Sequence, residues 1–308
     1  MQFAKHETFH VREGWLFKGM AAVKAAEAQD QLATIFLDKD GPERLGIGRN
    51  MVRALRYWIQ ATGLAEEIRE QGRTIHRLSD FGEWVWENDR YLDDEATLWL
   101  IHYHLISGLD LVTTWYWFFN HYTPVTFELE VCLQSLKLWV LGEQPDRKIA
   151  ESSLRKDVQC LVRTYLANDK NKTPEELIES PLARLGLISE FETDRKNRYR
   201  FQRLNSARVN PLIVLYVMVD QQLKSRAKSF QVTLNQVLRE PMNVGRVFNL
   251  DTGSMADLLA TLNKKYPDLS VKFERTAGLD QLTLPNIRPE ELLERYVQEH
   301  IITFRQAA

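Results

Sequence analysis

The stretch Leu45 to Glu66, LGIGRNMVRALRYWIQATGLAE, decides how the first third of the chain is read. A helix from Asn50 to about Ala61 places Val52, Leu55 and Ile59 on one stripe, at i, i+3 and i+7, and Arg49, Arg53, Arg56 and Gln60 on the other. One face packs and the other carries cations. Leu45-Gly46-Ile47-Gly48 supplies a tight turn before the helix, because glycine enters positive φ without a Cβ clash, and Thr62-Gly63-Leu64 supplies the stop. A helix-turn-helix needs such a short, glycine-bearing corner.

Working outward, Glu67 to Glu70 and Arg73 to Leu78 read as a β-ribbon around Gln71-Gly72, and Ser79-Asp80 as the polar cap of a following helix. Upstream, Arg12 to Glu27 is a first helix with Trp15, Leu16, Met20 and Val23 on its buried side. Asp30 to Leu37 is a second, and Pro42 to Leu45 opens a short third before the turn. Helices, turn and ribbon in this order are a winged helix, expected over residues 1–92 and expected to bind double-stranded DNA. Arg49, Asn50, Arg53 and Arg56 are the predicted groove contacts, with Asn50 suited to adenine. The competing reading is an amphipathic helix with a solvated arginine face.

The whole chain bounds what these residues can do. Of its 308 residues 44% are apolar, with eight Trp and 14 Phe, enough for real cores, and the formal charge of −2 excludes a protein that coats nucleic acid through bulk charge. Any DNA contact has to come from local patches. Cys132 and Cys160 are too few and too far apart for a zinc ribbon or a disulfide framework, which fits a reducing, cytoplasmic compartment. The most apolar region, Leu98 to Asn120, is interrupted by His102, His104 and Asp110, so no membrane span is expected.

Residues 93–145 form a different region, largely helical by pattern and dense in aromatics: Trp99, Tyr103, Trp115 to Phe119, Tyr122 and Trp139. Its expected role is a packed hub, with base stacking as the alternative. Gly142 to Arg147, GEQPDR, is the expected linker to a region at 146–230, where a helix from Lys148 to Ala167 and a polar loop lead to a second ribbon, Ser189 to Thr193 and Arg198 to Leu204. From Arg195 to Arg208 the chain carries Arg195, Lys196, Arg198, Arg200, Arg203 and Arg208 with no acid. On a strand Arg198 and Arg200 share one face and Tyr199 and Phe201 the other, as in a phosphate-tracking wing; a charge-guarded edge strand reads the same way. Residues 231–308 repeat the plan, with a capping box at Ser254 and Asp257, a hairpin of Ser270 to Thr276 with Asp280 to Leu284, and a terminal helix from Leu292 to Phe304. The fold expected is mainly α with small β-ribbons, several winged-helix units arranged around an aromatic helical region.

Several blocks carry a further signal in fixed order: HETFHVREGWLFKG from His6, LGIGRNMVRALRYWIQATGL from Leu45, YLDDEATLWLIHYHL from Tyr91, TTWYWFFN from Thr113 and LPNIRPEELLERY from Leu284. Together they resemble a bacterial domain-of-unknown-function family found beside sulfur-transfer genes in DNA phosphorothioation clusters, over nearly the whole chain. The resemblance implies a DNA-nicking protein that works with a cysteine desulfurase and ATP-using sulfur-transfer partners. Composition and spacing show no nicking.

Cleaving a phosphodiester takes an activated nucleophile and a counter-charge for the phosphorane, usually Mg²⁺ or Mn²⁺ held by carboxylates, or Arg and Lys. A nuclease strand motif and a zinc finger are both missing. Two polar clusters remain as candidates. His6 and Glu7 with Arg12 and Lys18 combine a base, a carboxylate and two phosphate-binding cations; the plain reading is an N-terminal cap network. Asp93 and Asp94, with Glu95, His102 and His104 nearby, offer metal ligands, whereas the plain reading makes the acids a helix cap and the histidines core residues. The terminal helix and exposed aromatics permit a homodimer without requiring one.

Overall fold

The computed structural model describes residues 1–308 apart from 30, 168–178, 194–195, 227–228, 277–278 and 308, and of 192–193, 196–197, 275–276, 279 and 300–307 the backbone alone. The chain divides into two compact units, residues 1–202 and 203–308. Both are mainly helical with small antiparallel sheets.

The first unit runs α1 (Trp15–Glu27), α2 (Gly41–Leu45), α3 (Arg49–Ala61), β1 (Ala65–Glu70), β2 (Arg73–Leu78) and α4 (Asp80–Asn88). It continues through α5 (Glu95–Ser107), α6 (Thr113–Asn120), β3 (Thr126–Phe127), α7 (Leu129–Glu143) and α8 (Glu151–Tyr165) to a 3₁₀ turn at Pro181–Leu185, β4 (Ile188–Thr193) and β5 (Lys196–Phe201). The expected buried side of α1, Trp15, Leu16, Met20 and Val23, is buried, and α1 packs on α3. β1 and β2 pair from Ala65 with Leu78 to Glu70 with Arg73 around Gln71 and Gly72, both at positive φ. The Ser79 hydroxyl caps α4 by accepting the Gly82 N–H. At Gly82 the helix comes so close to the Leu64 carbonyl that a Cβ would lie 1.9 Å from its oxygen.

One expected helix is absent. Residues 31–37 are irregular and turn-like, and the reason is tertiary: the Ala33 carbonyl accepts the backbone N–H of His76 at 3.0 Å, and the Phe36 ring meets the His76 ring edge-on at 4.9 Å. Bonding along the outer edge of β2 and burying Phe36 override local helix propensity. Asp30 lies outside the described residues.

α5 is apolar on all sides and accordingly buried on all sides, from Ala96 through Tyr103 and at Leu105 and Ile106. The hub aromatics form this core. Phe118 and Phe119 pack edge-to-face with each other and both meet Phe201, while Phe119 and His102 meet Tyr165. Trp99, Tyr103, Trp115, Trp117, Phe118 and Phe119 are at most 3% exposed, so they have no face to offer a base. Both cysteines are buried and free. Of the expected linker Gly142 to Arg147, Gly142 and Glu143 end α7 and the rest leads toward α8, and the two helices pack against each other within this unit.

The second ribbon is a three-stranded sheet in the order β3-β5-β4. β3, two residues long, pairs Thr126 with Arg200 and Phe127 with Tyr199 and so fastens the ribbon to the aromatic core. As its alternation requires, Tyr199 is buried beneath the strand and Arg198 and Arg200 are exposed above it.

The second unit holds a 3₁₀ turn at Ser206–Arg208, α9 (Pro211–Lys224), β6 (Gln231–Thr233), α10 (Leu234–Arg239), α11 (Val244–Val247) and α12 (Thr252–Lys265). A 3₁₀ turn at Pro267–Leu269, β7 (Lys272–Thr276), β8 (Leu279–Thr283) and α13 (Pro289–Ala307) complete it. The sheet order is β6-β8-β7, and the terminal helix α13 packs on α9. The capping box expected at Ser254 and Asp257 does not form, and the cap of α12 lies three residues upstream. Asp251 is the N-cap of α12 and accepts the Ser254 N–H at 2.8 Å, which holds its carboxyl below the usual carboxylate range and leaves Ser254 inside the helix. An aspartate three residues earlier, ahead of Thr252-Gly253, outcompetes serine because its anion also meets the helix dipole. Among the described residues no helix is long and apolar enough to cross a membrane.

Candidate nucleic-acid interface

α3 buries more of its circumference than one stripe: Val52, Leu55 and Ile59 as expected, and Ala54, Tyr57, Trp58 and Ala61 besides. Arg49, Asn50 and Arg53 remain exposed, with Arg56 and Gln60 half-buried further along the same row. The corner before the helix is held by Gly46, left-handed at φ 65° as the C-cap of α2, and by the Lys18 ammonium, which donates to the Leu45 carbonyl at 2.9 Å. Gly48 sits in extended backbone at φ −63°, where any residue fits, so only one of the two turn glycines answers to the expected conformational need.

The cations of the row differ in their freedom. Arg56 donates twice to the Glu67 carboxylate on β1, once at 2.9 Å from Nε and once at closer range from its terminal nitrogen. Arg53, 58% exposed, meets among the described residues the Asn50 side chain at 3.5 Å and Glu7 at 3.8 Å. Behind Glu67 stands the buried His76, with Nε2 at 3.4 Å from the same carboxylate oxygen. Burial above all, then the positive charge of Arg56, holds the His76 imidazole below its ordinary value of 6.5, and the Glu67 carboxylate only partly opposes them.

The four catalytic candidates are not gathered at one place. His6 is buried, its Nε2 bonded at 2.9 Å to Oδ1 of Asp157 on α8, and its ring lies edge-on to Tyr57 and Trp115. Asp157 also accepts the Ala4 N–H at 2.7 Å and the Thr114 hydroxyl at 2.8 Å. This carboxylate pins the N-terminal segment to the helical core. Arg12 lies over the Phe9 and Trp15 rings, 5.3 and 5.5 Å from their centroids, and Lys18 is spent on the Leu45 carbonyl. Glu7 alone of the four faces the α3 row. Asp94 caps α5 by accepting the Ala96 N–H at 3.0 Å, and Asp93 is exposed beside it, its backbone N–H bonded to Asp89. Among the described residues no group of three or more His, Cys, Asp or Glu could hold a metal ion. His102 bonds the Tyr165 hydroxyl at 2.6 Å and His104 stacks on Phe81 at 4.1 Å, as core histidines do.

On the second ribbon Arg198 pairs with Glu128 at 3.1 Å, and Arg200 covers the Phe191 ring at 5.0 Å. Arg203 falls in the second unit, 3.5 Å from Asp251. Arg195 lies outside the described residues, and of Lys196 the strand backbone alone is described. Asp157 and Glu67 were not legible as site residues: their partners at positions 6, 114, 56 and 76 are brought in by the fold, and no local pattern announces them.

The first unit thus sets a cation-bearing helix between a glycine corner and a small hairpin. A family model described as a protein of unknown function, DUF4007, matches residues 3–300, and the chain belongs to that family. Two solved structures of SspB, one of them magnesium-bound, are similar to it at TM-scores of 0.84 and 0.83. Each is 25% identical in sequence, over 96% of this chain and 88% of the SspB chain. The resemblance read from the ordered sequence blocks is thus borne out. No curated protein matches the chain.

Proposed function

We propose that this protein is the DNA-binding component of a bacterial single-strand phosphorothioation defence system, the counterpart of SspB there, and that α3 is its recognition helix. The observation that carries the reading is the row Arg49, Asn50, Arg53 exposed on a helix whose remaining sides are buried. α1, α2, α3, the β1–β2 hairpin and α4 follow one another in the order of a winged helix, which lays its recognition helix in the major groove. On this reading Arg49 and Arg53 contact phosphate or guanine, Asn50 reads adenine, and Arg198 and Arg200 supply a second phosphate contact. A cysteine desulfurase and ATP-using sulfur-transfer proteins are the partners this role requires.

A second reading, cleavage of one strand with Mg²⁺ or Mn²⁺, is favoured by the magnesium bound in one SspB structure. In this chain Asp94 caps a helix with Asp93 exposed beside it and no third ligand among the described residues, and His6 is committed to Asp157, so neither cluster fits a metal centre. One experiment separates the two. Supercoiled plasmid is incubated with the protein in Mg²⁺, Mn²⁺ or chelator while a mobility shift is run in parallel. Intact supercoils beside a clear shift that Arg49→Ala/Arg53→Ala abolishes are expected. Metal-dependent open circles would establish cleavage, and an unaltered shift in the double variant would remove α3 from the interface.

A further inference from the structure

Between the N-terminal segment and α3 lies a cleft of about 370 Å³ whose charged lining is Lys5, Glu7, Arg53, Arg56 and Glu67. Three of these are cations and two are acids, so the lining carries one net positive charge on a protein whose formal charge is −2. We propose that this cleft is a phosphate-group site guarded by Glu67, whose carboxylate occupies the Arg56 guanidinium until a phosphate replaces it.

The geometry supports the assignment in three ways. Two Arg56 donors, Nε and a terminal nitrogen, converge on one Glu67 oxygen, and the same pair of N–H groups can donate to a phosphate oxygen. Arg53 and Lys5 are both exposed on the same lining, and among the described residues Arg53 has long contacts, Asn50 at 3.5 Å and Glu7 at 3.8 Å. The cleft's N-terminal wall is also built at a conformational cost. Ala4, Glu7 and Thr8 all stand in the left-handed region, at φ 55°, 49° and 67°, and the bonds from Ala4 and His6 to Asp157 fix them there. Such backbone persists only where its surroundings over-determine it, and it concentrates at ligand sites. A terminal phosphate, bearing up to two negative charges, exceeds the single charge of Glu67, a backbone phosphodiester matches it, and either meets Arg53 and Lys5 on the same lining as Arg56.

For its natural ligand the site rests on the DNA-binding reading of α3, which would bring either a backbone phosphodiester or a terminal phosphate to the cleft. The test uses the full chain as wild type, Glu67→Gln and Lys5→Ala/Arg53→Ala. Inorganic phosphate is titrated calorimetrically at constant ionic strength, and the same duplex is then bound with 5′-hydroxyl and with 5′-phosphate ends. Removing the competing anion should tighten inorganic phosphate, and removing two cations should weaken it roughly tenfold or more, about one charge-assisted hydrogen bond's worth. The opposite signs separate a designed competition from general damage. Identical phosphate binding in all three proteins, or none in any of them, overturns the proposal. If the three proteins rank as expected with inorganic phosphate but none binds duplex, the site stands and the DNA-binding function falls. A preference for the 5′-phosphate end that follows the same ranking assigns a terminal phosphate, and equal binding of both ends with that ranking assigns the backbone.

Discussion

Two buried polar side chains of the first unit, His76 and Asp157, each answer to a different perturbation. His76 takes up a proton less readily folded than unfolded, so in acid the unfolded chain binds the extra proton first. Its stabilising share is therefore present above the ordinary value of 6.5 and is lost as pH falls below it. The melting temperature should drop between about pH 7 and pH 5, and His76→Leu should remove part of that drop; an unchanged profile in the variant would clear His76 of the effect. Asp157 works through geometry. It satisfies a histidine, a hydroxyl and a backbone N–H inside the protein, so Asp157→Ala leaves three polar groups unpaired and should cost about 3–5 kcal/mol in urea unfolding. His6 shows what a sequence can hide: His6-Glu7 reads as a base beside an acid, but the acid that binds His6 is 151 residues away.

Elements were legible wherever a local cause fixed them. The hydrophobic spacing of α3, the Gln71-Gly72 turn and the Ser79 cap each act within a few residues, and those boundaries agree with the structure. Where a distant partner decides, the pattern misled. Residues 31–37 have helical periodicity but bond along β2, and β3 is too short to show any periodicity at all. The seam between the hairpin and α4 is as tight as any: Gly82→Ala would drive a methyl group into the Leu64 carbonyl, and since backbone cannot rotate aside, a loss of about 1–3 kcal/mol is expected by thermal melt. For α3 itself, each of Arg49 and Arg53 changed to Ala should lower the salt slope of duplex binding by about one counterion. Arg56→Ala should lower it less, because Glu67 already neutralises that charge.

At the scale of the whole molecule, a net charge of −2 means that the proposed DNA binding would rest on a few exposed cations. Duplex affinity should fall with the logarithm of salt at a slope of about −3 to −5, far shallower than for a protein basic throughout; a slope near −10 would mean that cations beyond α3 and the second ribbon are engaged. Mainly helical character with small ribbons was readable because caps, turns and periodicity are local. How the second ribbon joins the aromatic core was not, because the pairing of Phe127 with Tyr199 spans 72 positions. The knot around Asp157 has a temporal consequence as well. As the chain leaves the ribosome, residues 4 to 6 appear first and their anchor on α8 about 150 positions later, an interval on the order of ten seconds at ordinary elongation rates. Until then the N-terminal wall of the cleft lacks the bonds from Ala4 and His6 to Asp157, so a nascent chain can already display α3 while the pocket beside it is only partly braced. Competence to grip a phosphate would therefore arrive late in the protein's birth, as a signal that the helical core has closed.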